Sequence, residues 1–238
     1  MRPVLPLVLC AALAGCATTG ADKLERIRPG LTVALFSLMG DHLAVRDLGA
    51  SALHDYRGEL DVRHWHIDRH AESVAGKVVG DTGKFRIVQA DTELLRRTAK
   101  LKDDPWTGGT RMQASSGSVA AFAKQSAADY VLVIGPASMG DPFLGTDEQL
   151  SGYGIYQRSL RITQPAFVGL KRAFSFLAMK VMLLDGKSGE AIARAQCVLG
   201  APRQESQHAV RPDEGARADI ETLVEAALRK CLGTLKLA

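Results

Sequence analysis

The stretch LTVALFSL, residues 31–38, is a strongly apolar run that lies between Gly30 and Gly40. Apolar runs of this length between glycines are typical of strands that are buried on both faces of a sheet. A second run of the same kind, YVLVI at residues 130–134, stops at a Gly-Pro pair. The two runs therefore predict buried strands near the centre of one sheet.

Weaker patterns add strands and helices around these two runs. Further strands are predicted at residues 43–48, 60–65, 85–88, 153–157, 173–184 and 191–199. The segment DGKSG, residues 185–189, has the residue types that a tight hairpin between the last two strands requires. Helices are predicted from residue types that cap helices, namely from Asp68, from Asp91 or Thr92, and from Ser116 or Ser118.

A long helix is predicted near the carboxy terminus, from about residue 213 to residue 235. Its apolar side chains recur at helical spacing and form one stripe: Ile220, Val224, Ala227, Leu228, Cys231 and Leu235. The order of all these elements is not a regular strand–helix–strand repeat. It predicts an α/β domain of the α+β type, with a mixed β-sheet flanked by helices and the long helix at its end.

The first 15 residues have the composition of an export signal, with Arg2 followed by an apolar stretch at residues 4–13. This stretch is shorter than the ~20 residues that a membrane-spanning helix needs. The tetrapeptide Leu13-Ala14-Gly15-Cys16 resembles the lipobox of bacterial lipoproteins. The resemblance implies that the chain is cleaved before Cys16, which then carries a thioether-linked diacylglycerol and an acylated amino terminus.

Ala17 follows the cysteine, where an aspartate usually retains Gram-negative lipoproteins in the inner membrane. The same resemblance therefore implies anchoring to the periplasmic face of the outer membrane. We expect residues 1–15 to be the signal peptide, residues 16–29 the lipidated cysteine and a flexible tether, and residues 30–238 a single periplasmic domain. The 13 residues after the cysteine reach about 45 Å at most when fully extended.

The mature chain is only mildly basic. The full chain has 30 Lys and Arg against 26 Asp and Glu, and removal of the signal takes away Arg2 alone, which leaves a net charge of +3. This excess is too small to indicate nucleic-acid binding, and aromatic residues at 5% leave few platforms for stacking bases. Cys197 and Cys231 lie on apolar faces; an exported compartment permits a disulfide between them, but the sequence favours two buried free thiols.

Three features together resemble a known group of envelope proteins. They are the lipobox before an apolar strand, a helix that leads into ADYVLVIG at residues 128–135, and a strand that ends in LDGKSGE at residues 184–190. This layout is similar to the periplasmic α/β lipoproteins typified by the curli secretion protein CsgG, the synthase activator LpoB and the amino-terminal domain of TolB. The resemblance covers most of residues 30–235 and implies binding of other envelope proteins, with no catalytic residues and no cofactor carried over.

The segment between Glu148 and Asp185 contains no acidic residue. Its cations are Arg158, Arg161, Lys171, Arg172 and Lys180. This local excess predicts a surface for an anionic partner or for lipid headgroups, unless acids from elsewhere in the fold balance it. Tyr153 and Tyr156 flank the segment together with Phe143 and Leu144, and aromatic residues of this kind suit a partner interface.

A second candidate site is the histidine group His64, His66 and His70. On a strand, His64 and His66 would point to the same face, and His70 would reach them from the first turn of the next helix. The simpler interpretation is a polar strand edge with solvated imidazoles.

The sequence therefore predicts a lipid-anchored periplasmic protein without catalytic activity, which binds envelope proteins through residues 136–172. A metal-binding or metal-dependent protein that uses the three histidines is the alternative, and a structural homo-oligomer is a further one.

Overall fold

The computed structural model describes residues 17–19, 30–49, 55–88, 100–104, 109–113, 116–159, 171–203 and 213–238. The signal sequence, Cys16 and the helix predicted from Asp91 or Thr92 lie outside these residues. The strands are β1 (Ala17–Thr19), β2 (Leu31–Ser37), β3 (His42–Leu48), β4 (Tyr56–Asp61), β5 (Phe85–Val88), β6 (Lys100–Asp104), β7 (Gly109–Gln113), β8 (Tyr130–Pro136), β9 (Ser138–Gly140), β10 (Gln149–Ser159), β11 (Lys171–Asp185) and β12 (Ala191–Arg203). The helices are α1 (Ile67–Gly80), α2 (Ser116–Gln125) and α3 (Glu214–Thr234).

The sheet is built around the long antiparallel hairpin of β11 and β12. The other edge of β11 is shared by two strands, since its residues 171–178 pair with β10 and its residues 179–185 pair with β8. Two arms therefore leave β11, one through β10, β3 and β4, and one through β8, β2 and β5. The pairs β3–β10, β2–β8 and β2–β5 are parallel and the rest are antiparallel, which confirms the mixed α+β sheet.

Helices α1 and α3 cover one face of the sheet and bury the larger apolar core. The predicted stripe of α3 is confirmed, because all six of its side chains are fully buried in this core: Ile220, Val224, Ala227, Leu228, Cys231 and Leu235. Asp213 caps the helix, as its carboxylate accepts a hydrogen bond from the Ala216 N–H at 2.7 Å. None of the described helices combines the length and hydropathy needed to cross a bilayer.

Helix α2 covers part of the opposite face, where it buries a smaller cluster. Phe122 of α2 packs on Phe36 of β2 with ring centroids 6.0 Å apart, and Val131 and Val133 of β8 complete the contact. The remainder of this face, over β10, β11 and β12, is covered by the loop at residues 141–148. That loop belongs to the candidate site described below.

The strand predicted over residues 60–65 is wrong beyond Asp61. Arg63–Trp65 form a 3-10 turn instead, closed by the Trp65 N–H that donates to the Val62 carbonyl at 2.8 Å. The turn allows Val62 and Trp65 to enter the same core, where both are almost fully buried.

Asp68 does not cap α1, because the helix begins one residue earlier and His66 holds the cap position. The Asp68 carboxylate instead accepts hydrogen bonds from the Ser37 hydroxyl at 2.6 Å and the Met39 N–H at 2.7 Å. Asp68 therefore ties the first turn of α1 to the end of β2.

Cys197 of β12 and Cys231 of α3 form a disulfide, with Cα atoms 6.0 Å apart. Both residues are completely buried. The free thiols that the sequence favoured are therefore replaced by a covalent link between the sheet and the long helix.

Strand β1 pairs antiparallel with β12, with Ala17 opposite Gln196 and Thr19 opposite Arg194. Three residues of the predicted tether are thus part of the sheet, and they lie along the edge of β12 that β11 leaves open. The polar composition of these three residues does not predict a strand. Their backbone conformation is determined by hydrogen bonds to β12.

Candidate functional site

Three cations of the predicted basic segment, Arg158, Lys171 and Arg172, lie at one end of the paired strands β10 and β11. Lys180 of the same segment lies further along β11, opposite Gln196. The register places Arg158 directly opposite Arg172 and Ser159 opposite Lys171. Like charges directly opposite each other across an antiparallel pair generally repel, so this register favours an anion at this end of the two strands. Arg161 belongs to the same predicted surface and lies outside the described residues.

The Nη1 atom of Arg158 donates a hydrogen bond to the Leu144 carbonyl at 3.4 Å. Within the described part of the chain it forms no ion pair with an acid. Three acids pair with other cations: Glu148 pairs with Arg57, and Asp213 and Asp219 pair with Arg203 at 3.2 Å and 3.1 Å. These three acids are therefore committed to other cations, whereas the Asp141 carboxylate of the adjoining loop is held by N–H and hydroxyl groups.

Tyr153 and Tyr156 do not lie on this surface, so their prediction as interface residues is wrong. Their side chains are 1% and 0% exposed, because β10 is an interior strand that is covered on both faces. The Tyr153 hydroxyl donates to the Gly40 carbonyl at 2.8 Å. Burial raises the pKa of both phenols well above the ordinary value, with nearby carboxylates adding to the effect.

The carboxylate of Asp141 organises the loop that adjoins the basic hairpin end. It accepts hydrogen bonds from the N–H groups of Phe143, Leu144 and Thr146 at 2.7, 3.0 and 2.9 Å, and from the Thr146 hydroxyl at 2.9 Å. The Tyr156 hydroxyl donates to the same carboxylate at 3.0 Å. Tyr156 is therefore a buried residue that holds the loop in place through Asp141, and it is not itself part of the surface.

The loop presents Phe143 and Leu144 as half-buried side chains beside Arg158. The Phe143 ring stacks on Phe174 of β11, with centroids 5.5 Å apart and an interplanar angle of 19°. It also lies over Gly200 of β12, where a Cβ atom would collide with the ring. We call the combination of Arg158, Lys171, Arg172, Phe143 and Leu144 the basic hairpin surface.

Burial alone would raise the pKa of Asp141, but the hydrogen bonds from Leu144, Thr146 and Phe143 outweigh it and hold the pKa below its ordinary value. A folded-state pKa below the unfolded-state value means that ionised Asp141 stabilises the fold above the unfolded-state pKa. This contribution is lost as the pH falls through the folded-state pKa.

Asp141→Ala is expected to loosen the loop and to lower the free energy of unfolding by about 1–3 kcal/mol, since three N–H groups lose their acceptor. Amide hydrogen exchange at Phe143, Leu144 and Thr146 should accelerate at pH 7. The difference in stability from the native chain should shrink below about pH 4, as Asp141 of the native chain is protonated. Asp147→Ala, at an exposed acid of the same loop, is the matched control, and equal exchange in the two variants would contradict the assignment.

No residue pattern used above singled out Asp141 as the centre of this loop. The sequence does contain a signal for it, because Asp often accepts a hydrogen bond from the N–H of the residue two positions later and so forms a turn. Asp141 accepts in this way from Phe143, and it also accepts from the N–H of Thr146, five positions later. Gly145 between them has φ +63°, a conformation that glycine adopts without strain.

The three histidines are not arranged as a metal site. His64 lies in the 3-10 turn with its ring edge against Trp65, at a centroid distance of 6.2 Å. His66 has φ +53° and is exposed, and the Nε2 atom of His70 lies 3.3 Å from the Glu221 carbonyl. No group of three His, Cys, Asp or Glu side chains among the described residues is placed to hold a metal ion. The strand that would have aligned His64 with His66 ends before them.

A cavity of about 510 Å³ lies away from the basic hairpin surface, between the end of α2 and the turn of the β11–β12 hairpin. Alanines form much of its wall, and its charged residues are Lys124, Lys187 and Asp129. The Asp129 carboxylate is engaged by Thr32, whose N–H and hydroxyl both donate to it at 2.8 Å. These two bonds lower the pKa of Asp129 and give it a structural role in joining β2 to β8.

No family model matches this chain. No curated protein matches it either. Several solved structures are similar to it at low identity. The PelC dodecamer from Paraburkholderia phytofirmans is 12% identical, with 94% of this chain and 97% of that chain covered and a TM-score of 0.40. A Xanthomonas campestris protein of family DUF330 is 10% identical over 88% and 86% of the two chains, with a TM-score of 0.41. E. coli LpoB is 11% identical over 84% and 75%, with a TM-score of 0.31. LpoB, one of the proteins that the sequence resembles, is therefore among the solved structures similar to this chain.

Proposed function

We propose that this chain is a lipid-anchored protein on the periplasmic face of the outer membrane, which binds other envelope proteins and has no catalytic activity of its own. The lipobox-like residues Leu13 to Cys16 support the anchor. The basic hairpin surface carries the proposal for binding, because two arginines face each other in register beside a loop that holds Phe143 and Leu144 at the surface.

The chemistry of the surface defines the partner. Opposed arginines favour a carboxylate-rich segment, and each guanidinium can hold a carboxylate by two parallel hydrogen bonds. The half-buried Phe143 and Leu144 offer an apolar contact at the side of the basic end. We therefore infer a partner protein that presents acidic residues next to an apolar side chain.

Charge reversal at Arg158 and Arg172 should weaken partner binding by at least about tenfold, because repulsion then replaces attraction at the centre of the surface. A photocrosslinking amino acid at the exposed Asp147 position would capture the partner in cells, and mass spectrometry would identify it. Lys187→Glu, on the other end of the sheet, is the matched control and should leave the yield of adduct unchanged. Equal yield from the Arg158→Glu/Arg172→Glu variant would exclude this surface.

A further inference from the structure

The first described residue of the chain is Ala17, and it is already part of the sheet. Ala17 is bonded directly to Cys16, so no linker separates the predicted lipid attachment site from β1. Consecutive Cα atoms are 3.8 Å apart and paired strands about 4.8 Å apart. The Cα atom of Ala17 therefore lies about 5 Å from the Cα atom of Gln196 on β12, and Cys16 is the residue that precedes Ala17 in the chain.

We infer that β1 holds the lipid-modified Cys16 against the outer edge of β12, so that the phospholipid leaflet lies along this edge and the domain rests on the membrane with one fixed side. The inference rests on the proposed lipidation of Cys16. A free tether of 13 residues would let the domain move up to about 45 Å from the leaflet and turn in any direction. Pairing of β1 with β12 prevents both the movement away from the leaflet and the free rotation, because it fixes the chain next to the residue that carries the acyl chains.

The rest of the chain is long enough to permit this arrangement. Residues 20–29 must connect β1 to β2, and these strands are four positions apart in the sheet, on either side of β12, β11 and β8. Four strand spacings amount to about 19 Å, whereas the connection extends to roughly 36 Å. The pairing also covers backbone groups of β12 that an exposed edge would offer to other chains.

In this arrangement, the edges of the sheet lie at different distances from the membrane surface. Strands β4 and β5 end the two arms, and each lies five strand positions from β1, which corresponds to about 24 Å. The basic hairpin surface lies on β11 and β10, two and three strand positions from β1, which corresponds to about 10–14 Å. A partner that binds there must therefore be close to the membrane surface.

The test uses the full lipidated chain, reconstituted into vesicles of phosphatidylethanolamine and phosphatidylglycerol that carry a nitroxide on a fraction of the headgroups. A fluorophore is attached to a single introduced cysteine, at Arg194 beside β1, at Glu59 on β4 or at Arg86 on β5; all three positions are exposed. The disulfide protects Cys197 and Cys231 from labelling. We expect the nitroxide to quench the Arg194→Cys probe several-fold more than the other two.

The control breaks β1 without touching the anchor. In a strand, consecutive N–H groups point to opposite sides, so Thr18→Pro/Thr19→Pro removes a donor towards β12 whichever residue provides it. This variant should lose the difference among the three probes. Equal quenching at all positions of the native chain, or an unchanged difference in the proline variant, would overturn the inference. Mass spectrometry of Cys16 separates this outcome from failure of the proposed anchor, because absence of the acyl mass would remove both.

Discussion

Gly154→Ala is expected to destabilise the protein by about 3 kcal/mol or more, among the largest effects of a single methyl group in this chain. A Cβ atom at Gly154 would lie 2.8 Å from two ring carbons of Phe176 and closer still to the Ala44 carbonyl oxygen. Gly154 pairs with Ala44 on one side and with Phe176 on the other. The backbone oxygen cannot move aside without breaking the pairing of β10 with β3.

Urea unfolding of the purified domain measures this effect as a lower transition midpoint at unchanged slope. Gly233→Ala is the matched control, since nothing lies within 4 Å of the added methyl group and the residue is in the last turn of α3. This change should be neutral or should stabilise the helix by up to about 1 kcal/mol. Equal midpoints for the two variants would contradict the tight packing of β10 between β3 and β11.

Loss of the Cys197–Cys231 disulfide is expected to lower the free energy of unfolding by about 3–4 kcal/mol. The bond closes a loop of 34 residues in sequence, and the entropy that such a cross-link removes from the unfolded chain gives this magnitude. Both sulfur atoms are in the core, so a reductant should act on the native protein only when it opens.

The measurement compares urea unfolding of the oxidised chain, the reduced chain and the Cys197→Ala/Cys231→Ala variant. The last two should unfold at nearly the same midpoint, well below that of the oxidised chain. Alkylation followed by mass determination should show that the thiols of the oxidised chain remain blocked in native buffer and become reactive after reduction in urea. Identical midpoints with and without reductant would show that the bridge adds nothing to stability.

An amino terminus that is fixed as proposed would change how the basic hairpin surface meets a partner. A domain on a free tether can take many positions and orientations above the membrane. A domain held along β1 would present Arg158 and Arg172 at one distance from the membrane and in one orientation. Restricting the search in this way raises the effective concentration for a membrane-bound partner and lowers it for a distant one. The two proposals therefore point to a partner that is anchored in, or adjacent to, the same membrane.

The architecture was largely accessible from the sequence because it depends on local patterns of hydrophobicity. Residues 31–37 and 130–136 are strands at the centre of the β8–β2–β5 arm, and the α3 stripe is buried at all six predicted positions. The strand predicted over the histidine segment was wrong beyond Asp61 for a related reason. Alternation over residues 60–65 reads as a strand, but the burial of Val62 and Trp65 in one core favours a turn.

What the sequence alone determined is the chemistry of single residues and the class of the fold: the apolar strands, the α3 stripe, and the run of cations without a neighbouring acid. Only the tertiary structure decided which of these residues meet. Arg158 opposes Arg172 because of the β10–β11 register, Tyr156 is buried because β3 and β11 enclose β10, and Ala17–Thr19 are ordered because β12 has an open edge. Such pairings depend on strand order and on contacts between residues far apart in the chain. A local hydrophobic pattern contains no information about either of them.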